Sequence, residues 1–247
     1  MKIQNIKIFL AIILTITFCK VRGQSIVDNN FKIAELQYAE MLKIIGKSTK
    51  NPGYTDKKGR LKLVNSNNWI SGFFPGCLWD IYNYTRDDKW KKSAEFFTEN
   101  EEAEQYNSTT HDIGFKMFCS YGMGYKLTGD KHYKNVLLQS ARTLSTRFNP
   151  KVGCICSWDH HKNQWEYPVI IDNMMNLELL FWATQVSGDS SYYKIAVSHA
   201  DTTMKNHFRN DYSTWHVVNY DTITGRVINK QTHQGYSDCS CWARGEA

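Results

Sequence analysis

"LTGDKHYKNVLLQSA", residues 127–141, closes one apolar segment at Gly129, turns through Asp130 and opens another that carries Tyr133 and Ala141. The same layout occurs in "YTRDDKWKKSAEFF" (84–97) and in "VSGDSSYYKIAVSHA" (186–200). Each stretch follows an apolar run, offers a short polar turn with Asp, and places an aromatic residue two or three positions on. The unit these features describe is a helical hairpin whose second helix packs through aromatic and small residues. Such a hairpin cannot bury both faces alone, so stacked copies share one core. The step from Gly129 to Gly188 is 59 residues, long for a simple solenoid repeat. Long, unequal hairpins with elaborate loops on one side fit a toroid with an active site on its loop face.

Helical periodicity extends the pattern. Ala34, Tyr38, Leu42 and Ile45 recur at three- and four-residue intervals, giving a first amphipathic helix. Further helices are expected over about 73–85, 90–98, 113–127, 131–146, 173–187 and 190–207, with loops at 47–71 and 148–168. Only "TWHVVNYDTITGRVINKQT" alternates convincingly, with a turn at 221–225, and it predicts one small β-hairpin inserted in an otherwise all-α protein.

The first 23 residues have a different character. Lys2 and Lys7 precede the apolar stretch Ile8–Phe18, which leads to Gly23 and Gln24. This order is that of a cleavable secretory signal, so an exported protein is expected, with residues 24–247 as its one domain. Eleven apolar residues are too few to cross a bilayer, and no transmembrane segment is expected. Lipid anchoring through Cys19 is disfavoured by the bulky Phe18. The leader holds four basic residues and no acids, so the formal net charge of +6 falls to +2 without it. A near-neutral chain gives no support for nucleic-acid binding.

Six cysteines follow the leader. Cys77 and Cys119 sit in apolar helical runs and read as small core residues. Cys154 and Cys156, near His160 and His161, raise the question of zinc. Their C-x-C spacing is tighter than the usual pair, and no second pair follows at finger spacing. Neither a metal nor another cofactor is expected.

Polar and aromatic residues gather where helices begin. "NWISGFFPG" supplies Trp69, "TTHDIGF" supplies His111 and Asp112, and "CSWDHH" supplies Trp158. "YPVIIDNMMNLELLFWA" (167–183) sets Asp172 in an apolar run, "TWHVV" carries His216, and "QGYSDCSCWARGEA" carries Gln234 and Arg244. Planar rings to stack on, carboxylates for proton transfer and an Arg for an anionic group make an inventory suited to a sugar. Each residue also has an ordinary structural use. Asp112 and Asp172 can be helix N-caps, the histidines core residues and the tryptophans packing. For Asp172, a cap and an acid held in an apolar pocket remain competing readings.

"NWISGFFPG", "THDIGF", "IIDNMMNLELL" and "QGYSDCSCWARG", four separated motifs in order, resemble the unsaturated glucuronyl hydrolases of glycoside hydrolase family 88. The resemblance runs from about residue 28 to the last residue. It implies an (α/α)6 barrel, here incomplete at its C-terminal end, since about four hairpins are countable where six make the ring. It also implies removal of a 4,5-unsaturated uronic acid from the non-reducing end of lyase-generated oligosaccharides. By the same resemblance Asp172 is the general acid and base and Asp112 its carboxylate partner. Trp69, His111, Trp158, His216, Gln234 and Arg244 then surround the sugar. An unsaturated rhamnogalacturonyl hydrolase with the same chemistry, and an inactive carbohydrate-binding remnant, are the alternatives.

Overall fold

The computed structural model describes residues 2–242, with side chains from Gln24 onward; the leader's side chains and the candidate Arg244 lie outside the described residues. Helices α1 (Lys2–Ile45), α2 (Phe73–Thr85) and α3 (Asp88–Glu99) come first. The short α4 (Ile113–Met117) and α5 (Met123–Thr128) are followed by α6 (Lys131–Ser145), α7 (Leu177–Ser187) and α8 (Ser190–His207). Hairpins form from α2 with α3, from α4–α5 with α6, and from α7 with α8. They stand side by side in an open arc, with α1 laid against the first. With α1 beside the three hairpins this is the incomplete set expected, and no closed ring exists among the described residues.

The repeated turns share one set of hydrogen bonds. Thr85, Thr128 and Ser187 donate their hydroxyls to the carbonyls of Ile81, Gly124 and Ala183 at 2.6–2.8 Å. Arg86, Gly129 and Gly188 come next, all with left-handed backbone, φ 59° to 76°. Asp87, Asp130 and Asp189 then cap the second helix by accepting the amides of Lys89, His132 and Ser191. Each such cap contributes about 1 kcal/mol. The module is local in sequence, which is why the pattern is readable there.

The core lies between the two layers of the arc. Leu78, Trp79, Trp90, Tyr121, Leu137, Leu144 and Leu180 are fully buried in it. The Trp79 indole N–H spans the first hairpin to the Thr98 hydroxyl at 2.9 Å.

Several elements depart from expectation. The single helix expected over 113–127 is interrupted at Phe118–Gly122 by a π-helical turn. The helix expected from 173 starts as a tight 3₁₀ stretch, Ile171–Asn176, before α7. The expected loop 47–71 contains a hairpin of β1 (Asn51–Thr55) and β2 (Leu61–Val64), hidden by Pro52 and Gly53 in so short a strand. The loop 148–168 contributes the two-residue strands β3 (Phe148–Asn149) and β4 (Cys154–Ile155). The expected β-hairpin is present as β6 (Val217–Tyr220) and β7 (Val227–Gln231), and β5 (Pro168–Ile170) adds a third antiparallel strand.

Close backbone packing and a buried polar network hold the helix starts in place. A Cβ at Gly72 would collide with the Lys116 backbone, and one at Gly114 with Asn176. Asn176 meanwhile accepts the Phe115 amide through Oδ1 at 2.9 Å. In the network, Lys116 pairs with Glu104 at 2.8 Å and donates to the Ser66 carbonyl at 2.9 Å. The Ser71 hydroxyl lies 2.8 Å from the Ser66 carbonyl and 2.6 Å from Glu101. Its one proton is shared between these two acceptors. Burial pushes the Glu101 carboxyl up to about 7 despite this hydrogen bond.

Two outcomes are expected. Gly114→Ala should lower stability by about 1–3 kcal/mol in urea unfolding, because overpacking at backbone contact cannot relax. Glu101 binds its proton more tightly folded than unfolded, so its contribution is full below pH 4.5 and is lost as pH rises through about 7. That loss is about 3 kcal/mol. Glu101→Gln mimics the protonated acid and should flatten this decline; an unchanged pH profile would refute the assignment.

Candidate active site

A pocket of about 150 Å³ opens where the N-terminal ends of the hairpins meet the small sheet. Trp69, His111, Asp112, Trp158, Asp172 and Gln234 line it, together with His160, Ile170 and His233. Six of the eight residues singled out in the sequence are therefore brought together, from segments far apart along the chain.

Backbone pairing delivers them. The His111 amide donates to the Ser157 carbonyl at 2.9 Å, and Thr110 bridges Trp158, which joins the "TTHD" and "CSWDHH" segments. The Ser157 hydroxyl accepts the Ile170 amide at 2.9 Å, and the Ile171 amide donates to the His216 carbonyl at 3.0 Å. Strand β5 thus runs straight into the turn that carries Asp172. Trp69 sits in the turn before α2, edge-on to Phe73 and Phe115, and is 41% exposed toward the opening.

The chemical centre is one imidazole between two carboxylates. His111 Nε2 lies 3.1 Å from Asp112 Oδ1 and 3.9 Å from Asp172 Oδ1. The ring is 2% exposed, whereas the two carboxylates keep about a fifth of their surface. The Thr110 hydroxyl donates to the other oxygen of Asp112 at 2.6 Å. Burial pushes the Asp112 carboxyl up, but His111 and Thr110 outweigh it and hold the group below the usual carboxylate range. Burial likewise pushes His111 down, and Asp112, with Asp172 behind it, reverses this and raises it.

Neither aspartate is the side-chain cap that its position suggested. Ile170 holds the cap position of the 3₁₀ stretch, which puts Asp172 inside the first turn. Asp112 is at the cap position of α4 but makes no capping hydrogen bond with its side chain. Its oxygens are turned to His111 and Thr110 instead.

His216 stands behind the pocket wall. Its Nδ1 accepts the amides of His233 and Gln234 at 3.1 and 3.3 Å and faces the Thr232 hydroxyl at 3.1 Å. It therefore shapes the segment that puts Gln234 in the pocket, and its ring stacks on Trp242 at 4.2 Å. Of the other pocket residues, His160 lies in the "CSWDHH" motif two positions after Trp158, and His233 directly precedes Gln234. Thr110 has no pattern that distinguishes it from other loop threonines.

The family model for Glycosyl Hydrolase Family 88 matches residues 44–247. An unsaturated glucuronyl hydrolase of Formosa agariphila is 46% identical over 97% of this chain and 63% of its own length. An unsaturated chondroitin disaccharide hydrolase of Streptococcus pneumoniae is 35% identical over 75% of this chain and 48% of its own. A crystal structure of an unsaturated glucuronyl hydrolase specific for heparin superposes with a TM-score of 0.77 at 46% identity, covering 80% of this chain and 53% of that one. The chain spans about half to two thirds of the length of these relatives. With its hairpin arc, its family match and these likenesses, the chain belongs to glycosyl hydrolase family 88.

Proposed function

We propose that this chain carries the acid–base centre of a hydrolase that removes a 4,5-unsaturated uronic acid from lyase-generated oligosaccharides. The observation that carries the reading is His111 held between Asp112 and Asp172 at the floor of a pocket walled by tryptophan. The relatives from Formosa agariphila and Streptococcus pneumoniae are hydrolases of unsaturated uronate sugars, which supports it.

The three groups titrate as a set. Asp112 is the member held ionised, so the exchangeable proton lies between His111 and Asp172. In the proposed reaction Asp172 gives a proton to C4 of the sugar, and the C4=C5 electron pair forms the new C–H bond. Positive charge develops at C5, where the ring oxygen shares it. Water then adds to C5 and returns a proton to the Asp172 carboxylate. The C5 hemiketal opens to a ketone, leaving a hemiacetal at C1 that expels the linked sugar. No carboxylate attacks the anomeric carbon, unlike in a retaining glycosidase.

Trp69 and Trp158 offer faces for the sugar ring, and Gln234 offers an amide beside the carboxylates. Arg244 is proposed to meet the uronate carboxylate. Export through the leader, and with it an extracytoplasmic substrate, belongs to the same proposal. The rhamnogalacturonyl alternative shares the chemistry and differs only in the sugar.

Ultraviolet absorbance of the conjugated double bond reads the reaction directly. Unsaturated disaccharides from heparin, chondroitin, hyaluronan and rhamnogalacturonan digests should be compared, with a uronate-containing glycosaminoglycan substrate consumed fastest. Asp172→Asn should lower kcat by about 10²–10⁴-fold with little change in KM. Absorbance that persists with folded protein, or equal rates in the variant, would refute the assignment. Asp112→Asn removes the anion that raises His111, so the alkaline limb of the residual pH–rate profile should move to lower pH. An unmoved or upward-shifted limb would contradict the coupled set.

A further inference from the structure

Three histidines cluster at the pocket, two of them lining it, and the acid–base chemistry of His111, Asp112 and Asp172 uses none of them. His160, His161 and His233 each place a ring nitrogen so that all three lie within 4.8 Å of one another. They come from two segments: the turn after Trp158, and the segment beyond β7 that His216 holds. The paired tryptophans Trp158 and Trp165, both buried, form the floor. His160 lies flat on Trp158 at 5.0 Å, His161 meets Trp165 edge-on at 5.8 Å, and His233 contacts both indoles at 5.4 and 5.3 Å.

This is not the zinc arrangement that the C-x-C spacing suggested. Cys154 and Cys156 are buried and turned elsewhere, the Cys156 thiol toward the Trp158 carbonyl at 3.4 Å. The two histidines are instead completed by a third from the far side of the β6–β7 hairpin. His161 takes a left-handed backbone, φ 58°, which costs a non-glycine residue free energy.

We propose that His160, His161 and His233 bind a divalent transition-metal ion, with zinc as the best-fitting case. Three imidazoles with a fourth position open are a donor set suited to zinc, copper or nickel and poorly suited to magnesium or calcium. Tetrahedral zinc at its usual bond length separates ligand nitrogens by about 3.3 Å. The rings must therefore draw together, which exposed side chains achieve by small torsional changes. His160 and His233 also line the pocket, so a bound ion ties its two rim segments together and restrains the entrance.

The test uses the purified, chelator-treated chain titrated with zinc chloride, followed by calorimetry and by the melting temperature. One saturable zinc per chain is expected, with a higher melting temperature and no response to magnesium. His161→Asn keeps the left-handed backbone accessible and removes the imidazole, and His233→Ala removes a ligand from the other segment. Each should weaken zinc binding at least tenfold while the metal-free protein remains folded by circular dichroism. Cobalt substitution should give a visible spectrum without a thiolate charge-transfer band. No saturable binding, equal affinity in both variants, or a thiolate band from Cys239 or Cys241 would overturn the site. These readouts are independent of turnover, so they stand or fall apart from the catalytic reading.

Discussion

The inner helices of this protein touch backbone to backbone, and the site depends on that closeness. Gly72 admits the Lys116 backbone, and Gly114 admits Asn176, whose amide oxygen binds the Phe115 N–H. Any side chain at either glycine would separate α2, α4 and the turn before α7. Those are the segments that deliver Trp69, Asp112 and Asp172 to one pocket. The pocket geometry thus depends on two positions where a Cβ would clash.

The same region buries charge, and there position matters more than net stability. Lys116, one turn beyond Asp112, is fully buried against Glu104 and the Ser66 carbonyl. Removing one partner of such a pair typically costs about 3–5 kcal/mol, whereas the intact pair contributes little net stability. Its value lies in fixing positions: Ser66 and Ser71 flank the turn that holds Trp69, and both are tied to the Lys116, Glu104 and Glu101 network. Nearer the pocket, His111 serves two carboxylates at once. His111 and Thr110 hold Asp112 below the usual carboxylate range, and the two aspartates raise His111 in turn.

Much of the site was legible because its residues cluster in short motifs at helix starts. Asp112 and His111 are adjacent, and Asp172 is conspicuous in an apolar run. What no motif revealed is the pairing between segments. His216 carries sugar-site chemistry in its residue type, yet it stands one layer back as the support of Gln234. The cap reading of Asp172 failed for a local reason: the chain enters the helix through a 3₁₀ turn that begins at Ile171, so the cap position falls on Ile170.

The sequence by itself determined the hairpins. A hydroxyl, a left-handed residue and a capping Asp lie within three consecutive positions, and the apolar periodicity beside them states which face is buried. These are interactions between near neighbours, so they are written in order along the chain. Tertiary structure alone decided the rest: the added strand β5, the π-helical turn between α4 and α5, and the meeting of His160 and His161 with His233. Each rests on contacts between distant segments, whose closure entropy is repaid only by packing against the whole arc. No local pattern of residues records that packing.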